Sequence, residues 1–146
     1  MSEWRNGPIL AVGGIVAIAF VDEVTIAVGT HSGLGVIDAR TGATLERCPD
    51  TQGDYAWYQA DPPAIRYASP QGVTLLPAGG LWGGQLRTTT DDGWSALATP
   101  HGFSLKHARH HIDPVLDNDE VRAVAISPAG RCAVFATSAT LYLYLR

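Results

Sequence analysis

The chain has 146 residues, of which 46% are hydrophobic and 16% charged, and its formal net charge is −4. That length and apolar content suit a single domain, residues 1–146, with a core of its own. The lysines and arginines are scattered, which excludes a general nucleic-acid binder, since such proteins cluster them on one face.

Taken from the start, the apolar run Ile9 to Val21 follows Glu3 and a single Arg5. It has no small-residue cleavage pattern before Asp22-Glu23-Val24 and is too short to span a bilayer as a helix. It is expected to form two strands broken at Gly13-Gly14, in a cytoplasmic protein with no membrane partner. Ile15 to Val21, Val24 to Thr30, Leu34 to Arg40 and Ala43 to Cys48 then read as four consecutive strands, because Val, Ile and Thr dominate them and charges fall at the turns. Tyr55, Trp57 and Tyr58 follow, the first and second on one strand face and the third on the other. Pro62-Pro63 restarts the chain before Ala64 to Ser69 and Gly72 to Pro77. Gly79-Gly80-Leu81-Trp82-Gly83-Gly84 is a flexible turn with one large aromatic at its centre. Leu86 to Thr90 is expected as an outer strand, and Trp94 to Thr99 with Gly102 to Lys106 as a hairpin. Lys106 to Pro114 reads as a solvated loop. The last stretch, Val121 to Arg146, contains three apolar runs separated by Pro128-Ala129-Gly130 and Ser138-Ala139-Thr140, a three-stranded antiparallel meander. The fold class is all-β.

One hairpin pattern recurs. Thr30, Ser69, Thr99 and Thr137 each follow a small residue and precede two turn residues, then Gly or Thr, then alternating apolar positions. They are 39, 30 and 38 residues apart, and a spacing near ~40 marks blade-type repeats that need their neighbours to bury both faces. The spare strand Pro8 to Val12 and the unpaired edge of Leu141 to Leu145 are expected to pair, hiding two edges that invite aggregation.

Val121-Arg122-Ala123-Val124-Ala125-Ile126-Ser127-Pro128-Ala129-Gly130-Arg131 resembles the first strand and following turn of the WD40-like β-propeller repeat. Leu141-Tyr142-Leu143-Tyr144-Leu145 resembles its blade ending, with Tyr144 at the usual Trp position. Val36-Ile37-Asp38-Ala39-Arg40-Thr41-Gly42 is similar to the same ending with its Asp kept. The chain lacks the family's Gly-His and Trp-Asp dipeptides. The resemblance implies a propeller-like domain of about four antiparallel blades, closed within one chain as a monomer or through a homodimer exchanging terminal strands.

It also implies that the hairpin turns emerge on one face. Their residues His31, Ser32, Gln71 and His101 are the expected contacts to a protein or peptide partner, since binding residues sit on loops of rigid scaffolds. A non-catalytic interaction module follows, one version being an immunity or antitoxin-like protein whose acidic balance meets a basic toxin. Trp57, Trp82 and Trp94 support a second reading, a small-molecule or carbohydrate binder; the same aromatics also suit packing between blades. A third is a metal-dependent enzyme. His107 and His111 would share a helix face at i, i+4 with Asp113 nearby, yet Arg109 between them disfavours a cation. No nucleophile elbow, phosphate-cradling loop or Cys-x-x-Cys pair is present, and no cofactor is expected. Cys48 and Cys132, on expected strands without metal spacing, read as buried free thiols.

Overall fold

A computed structural model describes residues 4–99 and 102–146 of the chain. His101 lies outside the described residues, as do the side chains of His111 and Asp113. The strands, in order, are β1 (Arg5–Ala11), β2 (Ile15–Phe20), β3 (Thr25–Thr30), β4 (Gly33–Asp38), β5 (Thr44–Pro49), β6 (Tyr58–Ala60), β7 (Pro63–Ser69) and β8 (Gly72–Pro77). They continue with β9 (Gly79–Gly80), β10 (Ser95–Thr99), β11 (Gly102–Lys106), β12 (His111–Leu116), β13 (Val121–Ile126), β14 (Cys132–Thr137) and β15 (Thr140–Leu145). Among the described residues no helix is long and apolar enough to cross a membrane.

The strands form four antiparallel sheets: β5-β4-β3-β2-β9, β6-β7-β8, β10-β11-β12 and β1-β15-β14-β13. The expected pairing of the two chain ends is present, running from Arg5 opposite Leu145 to Ala11 opposite Thr140, with a register shift between Asn6 and Ile9. It takes place within one chain.

The recurring hydroxyl residue has a physical role. The side-chain hydroxyl donates across the turn to the carbonyl three residues on, Thr30 to Gly33 O at 3.2 Å, Ser69 to Gly72 O at 3.2 Å, Thr99 to Gly102 O at 3.2 Å and Thr137 to Thr140 O at 3.5 Å. In three of these turns the same oxygen also accepts a backbone N–H, from Ser32, Gln71 and Ala139. A short polar side chain thus closes a turn the backbone alone would leave open, the competition with regular pairing that Ser and Thr win at strand ends.

Three apolar clusters join the four sheets. Ile65 and Leu76 pack on Val16, Ala17, Ala27 and Leu34. The opposite pleat of the latter sheet, Ile15, Ile18, Ile26 and Val28, meets Val134, Ala136, Leu141 and Leu143. Ile126, Phe135 and Tyr144 then meet Ala96, Phe103 and Leu105. Each fully buried aliphatic side chain contributes about 1.5–3 kcal/mol. The sheets therefore stack in the order β6–β8, β2–β5, β1 with β13–β15, then β10–β12, and among the described residues no cluster joins the first to the last. No closed ring is formed by these residues.

The chain passes from one end of this stack to the other along the middle sheets. Gly79 and Gly80 pair with Ile18 and Ala17, and the Leu81 N–H donates to Val16 O at 2.8 Å. A Cβ on Gly80 would lie 2.0 Å from Val16 O, so only glycine permits this approach. Further on, Arg87 O accepts the Ile126 N–H and Thr88 O accepts the Ala96 N–H. With these groups committed, Leu86 to Thr90 forms no strand, contrary to the sequence expectation, and makes a single bridge, Thr89 to Ser95.

Two other expectations are corrected. The segment Lys106 to Pro114 is not a loop throughout, because β12 begins at His111, opposite Lys106, and places Ile112 against the Phe103 cluster. Cys132 is buried, and burial pushes its thiol up to about 12, but Cys48 is exposed. It sits on β5, which pairs with β4 alone and leaves every residue exposed.

Candidate functional site

The end of the molecule beyond Thr30 is built around the turn His31-Ser32. The His31 N–H donates to Gly14 O at 3.1 Å, and the Ile15 N–H donates to Ser138 O at 3.0 Å, so the turns after β1, β3 and β14 adjoin. The Asp50 N–H donates to Ser32 O at 2.8 Å, attaching the segment after β5 to the same turn.

That segment is shaped by one carboxylate. Asp50 Oδ2 accepts the Tyr55 N–H at 2.8 Å and Oδ1 accepts the Gly53 N–H at 3.0 Å. The Tyr55 bond, with further backbone donors from residues 52 to 54, holds the Asp50 carboxyl below its ordinary range. The turn places Tyr55 at a φ of +53°, a left-handed conformation that is uncommon for an aromatic residue and carries a strain of about 1–3 kcal/mol. Tyr55 is therefore not on a strand with Trp57, as the alternation had suggested; only Tyr58–Ala60 pairs there.

Held in this way, Tyr55 brings four rings to one surface. Its hydroxyl lies 2.7 Å from His31 Nδ1. The Trp82 ring stands edge-on to Tyr55 at 4.9 Å and 89°, and to Tyr58 at 5.2 Å and 63°. Trp57 lies behind them, 6.1 Å from Tyr55 and 5.7 Å from Tyr58. It is seated on Gly29, where a Cβ would fall 2.1 Å from its ring. Of the three tryptophans singled out from the sequence, Trp57 and Trp94 are 7% and 3% exposed and belong to the core, whereas Trp82 is 43% exposed. Edge-to-face contacts of this kind fix a ring's orientation and are worth about 0.5–1.5 kcal/mol per pair.

On the other side of the turn a cleft of about 640 Å³ opens between β1 and β4–β5, lined by Ser32, Thr30, Ile9, Val12, Gly35 and Arg47 among others. Ile9 is 67% exposed at its edge. The turn thus separates an aromatic patch from a groove of mixed polar and apolar lining.

Gln71 makes no hydrogen bond to His31, Tyr55 or Trp82: β7 runs antiparallel past Tyr58 and Trp57, whose carbonyl accepts the Arg66 N–H, and in the turn that follows Gln71 is bonded to Ser69. His107 is occupied elsewhere. Its Nε2 donates to Asp92 O at 2.8 Å, its Nδ1 accepts the Arg109 N–H at 3.4 Å, and its ring lies 5.2 Å from Trp94. Both nitrogens of a neutral imidazole are then engaged. Among the described residues no group of three or more His, Cys, Asp or Glu side chains is gathered to hold a metal ion.

Sequence reasoning missed Asp50; it names Tyr55 among the aromatics but places it on a strand, not in this left-handed turn. Asp50-Thr51-Gln52-Gly53 carries a legible signal, an Asp three residues before a Gly in a polar stretch, which marks a side-chain-capped turn. Comparison of the chain with protein-family models, curated proteins and solved structures gave no match. The functional reading therefore rests on the surface itself.

Proposed function

We propose that the chain is a non-catalytic interaction module, built from propeller-like blades, that holds a protein or peptide partner on the surface carrying His31, Ser32, Tyr55 and Trp82. The observation that carries this reading is the exposed Trp82 ring locked edge-on between Tyr55 and Tyr58. Tryptophan and tyrosine dominate binding energetics because they offer large area at little entropic cost, and a ring already fixed loses less on binding. The neighbouring groove gives an extended segment room to lie beside that anchor.

The test is a capture experiment with three proteins: wild type, the double variant His31→Ala with Trp82→Ala, and Gln71→Ala. A protein held by wild type and by Gln71→Ala but released by the double variant, then shown to bind as a purified pair, supports the reading. Equal retention by all three, or loss in Gln71→Ala alone, overturns it. The same exposed ring favours a carbohydrate as the second reading, because sugars stack on a tryptophan face. A glycan screen positive for wild type and negative for Trp82→Ala, without a protein partner, would put that reading first.

A further inference from the structure

Beside the turn His31-Ser32 lies the cleft of about 640 Å³ between β1 and β4–β5. On its β2–β5 wall, Val28, Gly35 and Arg47 stand side by side, paired in register across β3, β4 and β5. Glycine is not required at the middle position. The Gly35 backbone is not left-handed, and an added Cβ would meet nothing closer than Val28 O at 4.0 Å. A side chain is thus missing between the apolar neighbours Val28 and Ile37, and the gap belongs to the cleft.

Arg47 is the one charged residue among the described residues that line this cleft. Its guanidinium makes no ion pair within the described residues. The nearby acids are turned away or engaged. Glu46 alternates onto the other pleat and lines a separate cleft with Val36 and Trp57. Asp38 is paired with Arg40 at 3.2 Å, and the Asp50 carboxylate accepts the Tyr55 and Gly53 N–H groups. A single cation beside an apolar gap complements a single anion carried next to an apolar group.

The cleft is closed at the end away from the turn. There Pro8 and Leu10 lie against Gly42, where an added Cβ would fall 2.9 Å from Leu10 Cδ2 and 3.2 Å from Pro8 Cβ. From Gly33, at the turn, to the level of Arg47 is two residues along β4, about 7 Å. A chain entering beside His31-Ser32 therefore reaches the guanidinium after about two residues and meets a wall beyond it.

We propose that this groove takes the free C-terminus of the partner, its α-carboxylate on the Arg47 guanidinium and its last side chain, an apolar one, in the gap over Gly35. The assignment rests on the partner-binding role and names the part of the partner that enters. A groove closed at one end admits a chain end and excludes a continuous segment, and capture of a terminal carboxylate is a recurrent mode of peptide recognition. Guanidinium and carboxylate also match as a two-bond fork.

The test uses the full chain and two peptide libraries immobilised through their N-termini, with the last three positions randomised. One library ends in free α-carboxylates and the other in amides. Wild type is expected to be retained by acids ending in Val, Ile, Leu or Met, and about 10–100-fold more weakly by the amides, as loss of a hydrogen bond to a charged group implies. Arg47→Gln should bind acids and amides equally, and Arg47→Lys should keep part of the preference. Gly35→Leu should lose both libraries while its circular dichroism and melting match wild type, because the added side chain projects into open space. Retention of neither library by wild type, equal retention of acids and amides, or an acid preference that survives Arg47→Gln overturns the proposal. The partner surface is judged separately. A partner held through Trp82 that still binds after removal of its last three residues overturns the groove assignment alone. An Arg47-dependent preference for acids, with no Trp82-dependent partner, supports the groove and overturns that surface.

Discussion

The two ends of the sheets are built differently. At the end carrying the turn between β2 and β3, polar groups are spent on one another. Glu23 accepts the Ser127 hydroxyl and the Ala129 N–H, both at 2.6 Å, tying two sheets together across 104 and 106 residues of sequence. The Arg146 guanidinium makes paired bonds to Asp92 at 2.8 and 2.7 Å and lies 4.8 Å over the Trp4 ring, joining a third. Arg146 holds the Asp92 carboxyl far below the ordinary range. At the opposite end the corresponding turns leave an exposed tryptophan, a tyrosine in a strained conformation and an open groove. One end fastens the stack and the other presents side chains to solvent. A rigid scaffold with strain confined to one loop cluster is the arrangement in which recognition surfaces are found.

Breaking the fastened end should cost the most stability. Glu23→Ala removes the acceptor of the buried Ser127 hydroxyl proton and of the Ala129 N–H, while the Ser127 oxygen keeps the Arg131 and Cys132 N–H groups, and about 2–3 kcal/mol should be lost in urea denaturation, since hydrogen bonds to a charged acceptor are the strong ones. Next comes Gly29→Ala, which drives a methyl into the Trp57 ring. A loss of about 1–3 kcal/mol is expected from overpacking, together with altered tryptophan fluorescence, because the displaced ring is the base of the aromatic patch. If the patch instead tolerated this change with its spectrum intact, its rigidity would not derive from that seat.

A pH titration sharpens the comparison with a smaller effect. The Asp50 carboxyl is lowered in the folded state. Its contribution is therefore fully present above the unfolded value of about 3.9 and is lost as pH falls through the folded value. Tyr55 should loosen in that acid window, seen as a change in Trp82 fluorescence ahead of global unfolding. Asp50→Asn should abolish that step. A loss of about 1 kcal/mol is expected for Trp82→Ala, which deletes two edge-to-face pairs on a half-exposed ring. That substitution should also remove partner binding, so a folded variant that still binds would separate the patch from recognition.

The hairpins were legible because the interactions that make them are local. Thr30, Ser69, Thr99 and Thr137 each bond three residues ahead, and apolar alternation marks the flanking strands, so the pattern survives in the sequence. The pairing of β1 with β15 could also be read, from two apolar edges lacking partners. Three features could not. Tyr55 owes its left-handed conformation to a carboxylate five residues away. Gln71 shares its turn type with His31 but is not bonded to the Tyr55 cluster, because the two turns belong to different sheets. Cys48 has a strand-like setting yet is exposed, because β5 has no neighbour on its outer edge among the described residues.

By itself the sequence determined the all-β class and the hairpins with their turns, through contacts spanning a few residues, but not β12 or the course of Leu86 to Thr90. The tertiary structure decided which sheet faces which, that three apolar cores join them among the described residues, and which aromatics are left in solvent. Those outcomes depend on long-range burial, whose energy is additive over a face and non-directional, so no local spacing records them.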